Sequence, residues 1–154
     1  MTIPRAFLAV ILPLAYAYVR KQEQNILANG TPLTDEAAAD ARTIGVKRPD
    51  LVRTSTSERV PPGVHPSFIW IGQKLGLVTS TPTIGMALGY AICLRTGCAE
   101  SRSLLAHELV HVRQYERLGF SPFLRQYIHE CLTDGYPHGA LEAEARQTAH
   151  KFIA

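Results

Sequence analysis

The apolar positions change period along the chain, and that change outlines the elements. From Ala6 to Val19 (AFLAVILPLAYAYV) the run is uncharged and interrupted only by Pro13. A spanning helix needs about 20 apolar residues, whereas a shorter run suits a core helix, an interfacial helix or a signal-peptide core. Arg5 ahead of the run and Ala15-Tyr16-Ala17 within it imitate a secretory signal. However, a single basic residue is a thin leader, and Pro13 cuts the apolar core short. The next stretch, YVRKQEQNILANG, continues as helix to a Gly30 stop. Residues 1–30 are therefore expected to form a retained apolar N-terminal helix. It would lie on a membrane surface through residues 6–19 or dock on the domain at 31–154. A membrane-associated or cytoplasmic setting is favoured over a secreted one.

Beyond it, Thr34 is a good N-cap, with Asp35 and Glu36 suited to the positive first turn of a helix that ends at Gly45. Asp50 to Ser57 reads as a strand. Pro61, Pro62 and Pro66 mark a loop, SFIWIGQKL predicts a short helix ending at Gly76, and Thr79 to Gly85 predicts a turn region. Met86 to Leu94 (MALGYAICL) alternates large and small residues and predicts one strand. Its large face would be Met86, Leu88, Tyr90, Ile92 and Leu94; its small face would admit a closely packed helix or form a substrate-facing edge. Three helices follow: one capped by Ser101 or Ser103 and running to Gly119, one opened by a Ser121-Pro122 cap pair, and one from about Ala140 to Phe152. Together these predict a compact α+β domain.

Composition adds limits. The chain has 154 residues, 46% hydrophobic and 19% charged, which is one globular domain's worth rather than a disordered tail. Sixteen basic against 13 acidic side chains give only +3, and the basic residues are scattered, so no nucleic-acid partner is expected. Cys93, Cys98 and Cys131 are odd in number and lack CxxC spacing, and read as free thiols.

The chemistry concentrates in residues 107–111, HELVH. Histidines four apart on a helix share one face, with Cβ atoms about 5–6 Å apart, which suits two imidazole nitrogens roughly 2.0–2.1 Å from one zinc ion. Glu108 is placed to act as general base on a water at that metal. Leu104, Leu105, Leu109, Val110 and Val112 surround the polar group, and burying it unpaired would be costly. A catalytic zinc expects a third protein ligand. The HExxHxxGxxH continuation is absent, since Gln114 and Arg117 stand at its glycine and histidine positions. The last helix, LEAEARQTA, offers Glu142 and Glu144. Gln114, one turn after His111, is either a hydrogen-bonding support behind the metal ligands or a solvated glutamine, and Tyr136 or His138 in the GYPHG loop is a candidate donor to an oxyanion. His65, His129 and His150 read as surface or packing residues.

HELVH with a glutamate on a later helix resembles the gluzincin class of zinc metallopeptidases. More closely, HELVHVRQYERLGF and GYPHGALEAEAR resemble small bacterial HExxH domains akin to the metallopeptidase-like core domain associated with contractile injection systems. There an HE-x-x-H-x-x-Q helix is followed by a Glu-x-Glu-Ala segment. PLTDEAAADARTIGV is similar to the LT-x-E element and AR pair ahead of that domain, so the likeness spans Pro32 to Ala149. It implies a zincin-like fold: a small sheet on the HExxH helix, with the C-terminal helices closing the site. It also implies Zn2+ held by His107, His111 and Glu142, Glu108 as base, and a peptide or protein substrate. Glu142 is preferred to Glu144 because gluzincins commonly show Glu-x-x-x-Asp. Arg146 stands at the aspartate position, which leaves the group orienting a ligand histidine unassigned. The rival reading is a non-catalytic zinc-binding module in which metal braces a structural or interaction domain.

Overall fold

Each helix begins or ends where a side chain or a glycine satisfies the free backbone groups. In the structure, a computed structural model describing residues 5–61, 63 and 83–153, α1 spans Arg5–Asn29 and runs through Pro13. Strand β1 (Thr31–Pro32) leads to α2 (Asp35–Ile44). Thr34 Oγ1 accepts the Ala37 N–H at 3.2 Å, and Gly45 closes α2 at φ 101°, its N–H donating to the Ala41 and Arg42 carbonyls. After β2 (Arg53–Ser57), β3 (Gly85–Leu88) and β4 (Ala91–Arg95) come α3 (Arg102–Leu118), α4 (Phe120–Thr133) and α5 (Ala140–Ala149). Ser101, not Ser103, caps α3 by accepting the Leu104 N–H at 3.2 Å. The class is α+β, as the sequence predicts. The segment 64–82, including His65, the SFIWIGQKL helix and the start of the Thr79–Gly85 turn, lies outside the described residues.

The four strands order as β1-β2-β4-β3. β2 and β4 run parallel, and the two outer pairings are antiparallel. Central β4 is buried along Ala91 to Leu94. Ile92 and Leu94 join a core with Ile44, Leu109, Val112 and Ala145. Ala91 and Cys93 join another with Val19, Ile26, Tyr115 and Phe123. The small face of the strand therefore receives α1, because small side chains allow close approach.

Three sequence expectations need correction. Met86 to Leu94 is a hairpin rather than one strand, turning at Gly89 (φ 67°). Leu88 pairs with Ala91 and Met86 with Cys93, so Met86 and Leu88 lie on the face opposite Ile92 and Leu94. Unbroken alternation hid the turn, because the glycine fell on the small parity. Secondly, Asp50 belongs to a 3-10 turn at Pro49–Leu51, and the strand starts only at Arg53. Thirdly, α4 starts at Phe120, with the Phe123 N–H donating to the Gly119 carbonyl at 3.0 Å. Pro122 is then its third residue, where a missing N–H costs nothing.

Two carboxylates fasten the hairpin. Glu23 of α1 is buried, accepts the Tyr90 N–H at 3.1 Å and pairs with Arg20 at 2.9 Å. Glu116 of α3 accepts the Lys47 and Arg48 N–H groups at 2.7 and 3.0 Å and the Tyr90 hydroxyl at 3.0 Å. Among the described residues no helix is long and apolar enough to cross a membrane. Cys93, Cys98 and Cys131 are free thiols.

Gly89 is the position where this anchoring is most exposed to mutation. A Cβ there would lie 1.9 Å from Glu23 Oε1, on a residue already at positive φ. Gly89→Ala is expected to cost about 2 kcal/mol or more in denaturant unfolding. A cost below a few tenths would contradict the packing of Glu23 under the turn.

Candidate metal centre

α3 brings His107 and His111 to one face a turn apart, their rings edge-on with centroids 4.9 Å apart. α5 brings Glu142 to meet them from its first turn. That turn has no side-chain cap of its own; Glu130 of α4 supplies one, accepting the Leu141 N–H at 3.0 Å. Gly139 is required there, because a Cβ would lie 2.5 Å from Glu130 Oε2.

The donor atoms converge. His107 Nε2 and His111 Nε2 are 3.2 Å apart, Glu142 Oε2 is 3.2 Å from His107 Nε2, and Glu142 Oε1 is 3.3 Å from His111 Nε2. Tetrahedral bonds of ~2.0–2.1 Å would separate ligand atoms by roughly 3.3–3.4 Å, a spacing these donors approach, each nitrogen through a different oxygen of Glu142. Glu142 Oε2 is buried with His107 Nε2 at 3.2 Å but without a well-aligned hydrogen bond, a poorly satisfied state that a cation would relieve. The three residues can hold a metal ion.

Electrostatics agree with that geometry. Burial alone would raise the Glu142 pKa, but the hydrogen bonds and charges of His107 and His111 outweigh it and hold the carboxyl well below its ordinary range. Burial likewise opposes charge on His111, and is overcome by Glu142 and Glu108, which draw its pKa up. The cluster thus favours positive charge at its centre, which a divalent ion supplies.

The orienting group that Arg146 left unassigned is Gln114. Fully buried one turn beyond His111, it accepts from His111 Nδ1 at 2.8 Å. It also donates to the Leu141 carbonyl at 3.0 Å and to Glu144 at 2.9 Å. With its proton on Nδ1, His111 presents a free Nε2 lone pair to the centre. Glu144 is turned away from the metal group and held by Arg113, Arg117 and Gln114. Arg146 donates to the Pro137 carbonyl rather than pairing with Glu142.

Glu108 lies on the same helix, 4% exposed, and burial raises its pKa. It abuts β3 so closely that a Cβ on Gly85 would sit 2.5 Å from its Oε1. Tyr136 lines the cavity beside the metal group, and burial pushes its hydroxyl up to about 12. His138 points elsewhere: it is exposed and does not line that cavity. His129 and His150 are exposed.

Sequence reasoning missed Tyr127. Its hydroxyl donates to Glu142 Oε1 at 2.8 Å, and its ring stands edge-on to His111 at 5.9 Å. The available signal was helical spacing alone: Tyr127 follows Phe123 by one turn on the buried side of α4. Compared with family models, curated proteins and solved structures, the chain matches none.

Two measurements test this arrangement. Affinity for a divalent metal ion, measured by chelator competition with zinc as the probe, is expected to fall roughly tenfold or more in Tyr127→Phe, the usual worth of a group that orients a ligand. It should fall much further in Glu142→Ala and persist in Glu144→Ala. Equal loss in the two alanine variants would overturn the ligand assignment. Glu144 has its pKa lowered from 4.5 to about 2, chiefly by the Arg117 hydrogen bond. The stability it contributes is therefore full above about pH 4.5 and lost as pH falls through 2. Glu144→Gln is expected to flatten the acid limb of a stability-versus-pH curve in that window; an unaltered limb would sink the assignment.

Proposed function

We propose that the protein is a zinc-dependent metallopeptidase of gluzincin type, hydrolysing a peptide bond in a zincin-like domain. The observation that carries this reading is the convergence of three donors beside a cavity, with a buried carboxylate next to the first histidine on the same helix. Structural zinc sites are closed by four protein ligands, whereas catalytic sites hold three and leave one position for water or substrate. The donor group here has three members among the described residues, which favours an enzyme over a metal-braced structural module. The motif likeness to bacterial HExxH domains supports the same class.

Bound zinc would supply Lewis acidity, easing ionisation of a water and polarising the scissile carbonyl. Glu108 accepts the proton of the attacking water as its oxygen bonds to the carbonyl carbon. It then returns that proton to the amide nitrogen as the C–N bond breaks. The raised pKa of Glu108 suits both halves of this exchange. Tyr136, protonated at neutral pH, donates to the developing oxyanion. His107, His111 and Glu142 fix the ion, with Gln114 and Tyr127 holding two of those ligands in place.

Glu108→Gln is expected to retain zinc at the wild-type stoichiometry while hydrolysis of a generic protein substrate falls by roughly 10²-fold or more. Unchanged turnover in that variant would overturn the mechanism, and a wild-type chain purified without bound or bindable zinc would overturn the class.

A further inference from the structure

Beside the metal group lies a cavity of about 220 Å³. Among the described residues, its titratable groups that can carry charge near neutral pH are His107, Glu108, His111 and Glu142. The rest of its described wall carries no formal charge and is mainly apolar, with Ala15 and Val19 from α1, Leu88 from β3, and Phe123, Leu124 and Ile128 from α4, beside a few hydroxyl groups such as that of Tyr136. We infer that this cavity receives one bulky uncharged side chain of the substrate, aliphatic or aromatic, next to the bond being cut, and that α1 is its specificity wall. The inference rests on the metallopeptidase reading and narrows it to a substrate class.

Size and charge both point there. An apolar cavity of ~150 Å³ is enough to hold benzene, so this one has room for a leucine or phenylalanine side chain. A lysine or aspartate side chain would strand its charge against aliphatic and aromatic walls. His107, Glu108, His111 and Glu142 are part of the cavity wall, so a group seated in the cavity lies beside the metal group.

α1 is a fixed wall. Ala15, Tyr18 and Val19 are spaced to share one helix face, which they turn to the cavity. The helix is fastened at three further points. Glu23 holds the hairpin turn, the Tyr16 hydroxyl donates to the Ser121 carbonyl at 3.1 Å, and the Arg20 guanidinium lies 3.5 Å over the Phe120 ring. A helix pinned to β3–β4 and to α4 keeps the cavity open and sets its width.

The test uses the zinc-loaded full chain and three small hydroxamates that share one metal-binding head: acetohydroxamate, 3-phenylpropanohydroxamate and the monohydroxamate of succinate. By titration calorimetry the phenyl compound is expected to bind tenfold or more tighter than acetohydroxamate, as burial of an aromatic group predicts. The carboxylate compound should bind no tighter. Ala15→Phe, which fills the cavity from the α1 side, is expected to erase the phenyl-to-acetyl ratio, and Ala15→Leu to reduce it, with zinc content measured in each. Equal affinity of the phenyl and acetyl compounds for the wild type would overturn the inference even with zinc in place. A ratio that survives Ala15→Phe would remove α1 from the pocket. A chain that takes up neither zinc nor acetohydroxamate would defeat the metallopeptidase reading itself, and this inference with it.

Discussion

One buried amide holds the site together. Gln114 receives the His111 Nδ1 proton, donates to the backbone of α5 at Leu141 and donates to Glu144. A polar group this deep costs about 1–3 kcal/mol if any partner is removed, so its three contacts are mutually enforcing. The tautomer of one candidate ligand and the placement of the helix bearing another are set by the same side chain. His111 and Glu142 come from different helices, α3 and α5, and Gln114 links their positions without a carboxylate behind the histidine.

That choice has an electrostatic consequence. Two buried glutamates, Glu108 and Glu142, feel one another's charge, and neighbouring like charges cannot both ionise cheaply in a low-dielectric interior. Their surroundings separate them. Glu142 meets two imidazoles and is driven to the carboxylate, while Glu108 is desolvated against β3 and driven toward the acid. Carboxyl groups pushed in opposite directions suit opposite tasks, one as a permanent ligand and one as a proton carrier. An orienting aspartate at position 146 would have added a third negative charge to a crowded site. The neutral amide of Gln114 avoids that repulsion and still fixes the ring.

Local signals made much of this readable from sequence. The HELVH spacing, the Thr34 and Ser101 caps and the Gly45 stop each depend on chemistry within one or two turns, and each appears where the residues place it. The choice of Glu142 over Glu144 could be made by resemblance only. What decides it physically is a pair of arginines, Arg113 and Arg117, one turn apart on another helix, which capture Glu144. Tyr127 was illegible for the same reason: its hydroxyl matters because of where α4 crosses α5. The hairpin at Gly89 was hidden differently. A turn that preserves the parity of large and small residues leaves no trace in a period-two pattern, and its cause, the carboxylate of Glu23, lies far upstream.

The N-terminal helix shows that composition alone does not say which of its faces pack against the domain. Its uncharged run invites a membrane reading, and Val10 and Leu14 do point outward, 62% and 64% exposed. Yet the same helix buries Leu12, Val19, Glu23 and Ile26 against the domain and lends a face to the cavity beside the metal group. A helix meant only to anchor would have no use for a buried carboxylate, because that group is costly unless it meets a specific partner. Glu23 meets the Tyr90 N–H, and through it fixes the hairpin whose first strand presses on Glu108. The path from α1 to the candidate base therefore runs through one hydrogen bond and one strand, which makes the helix part of the site's frame whatever its outer face touches.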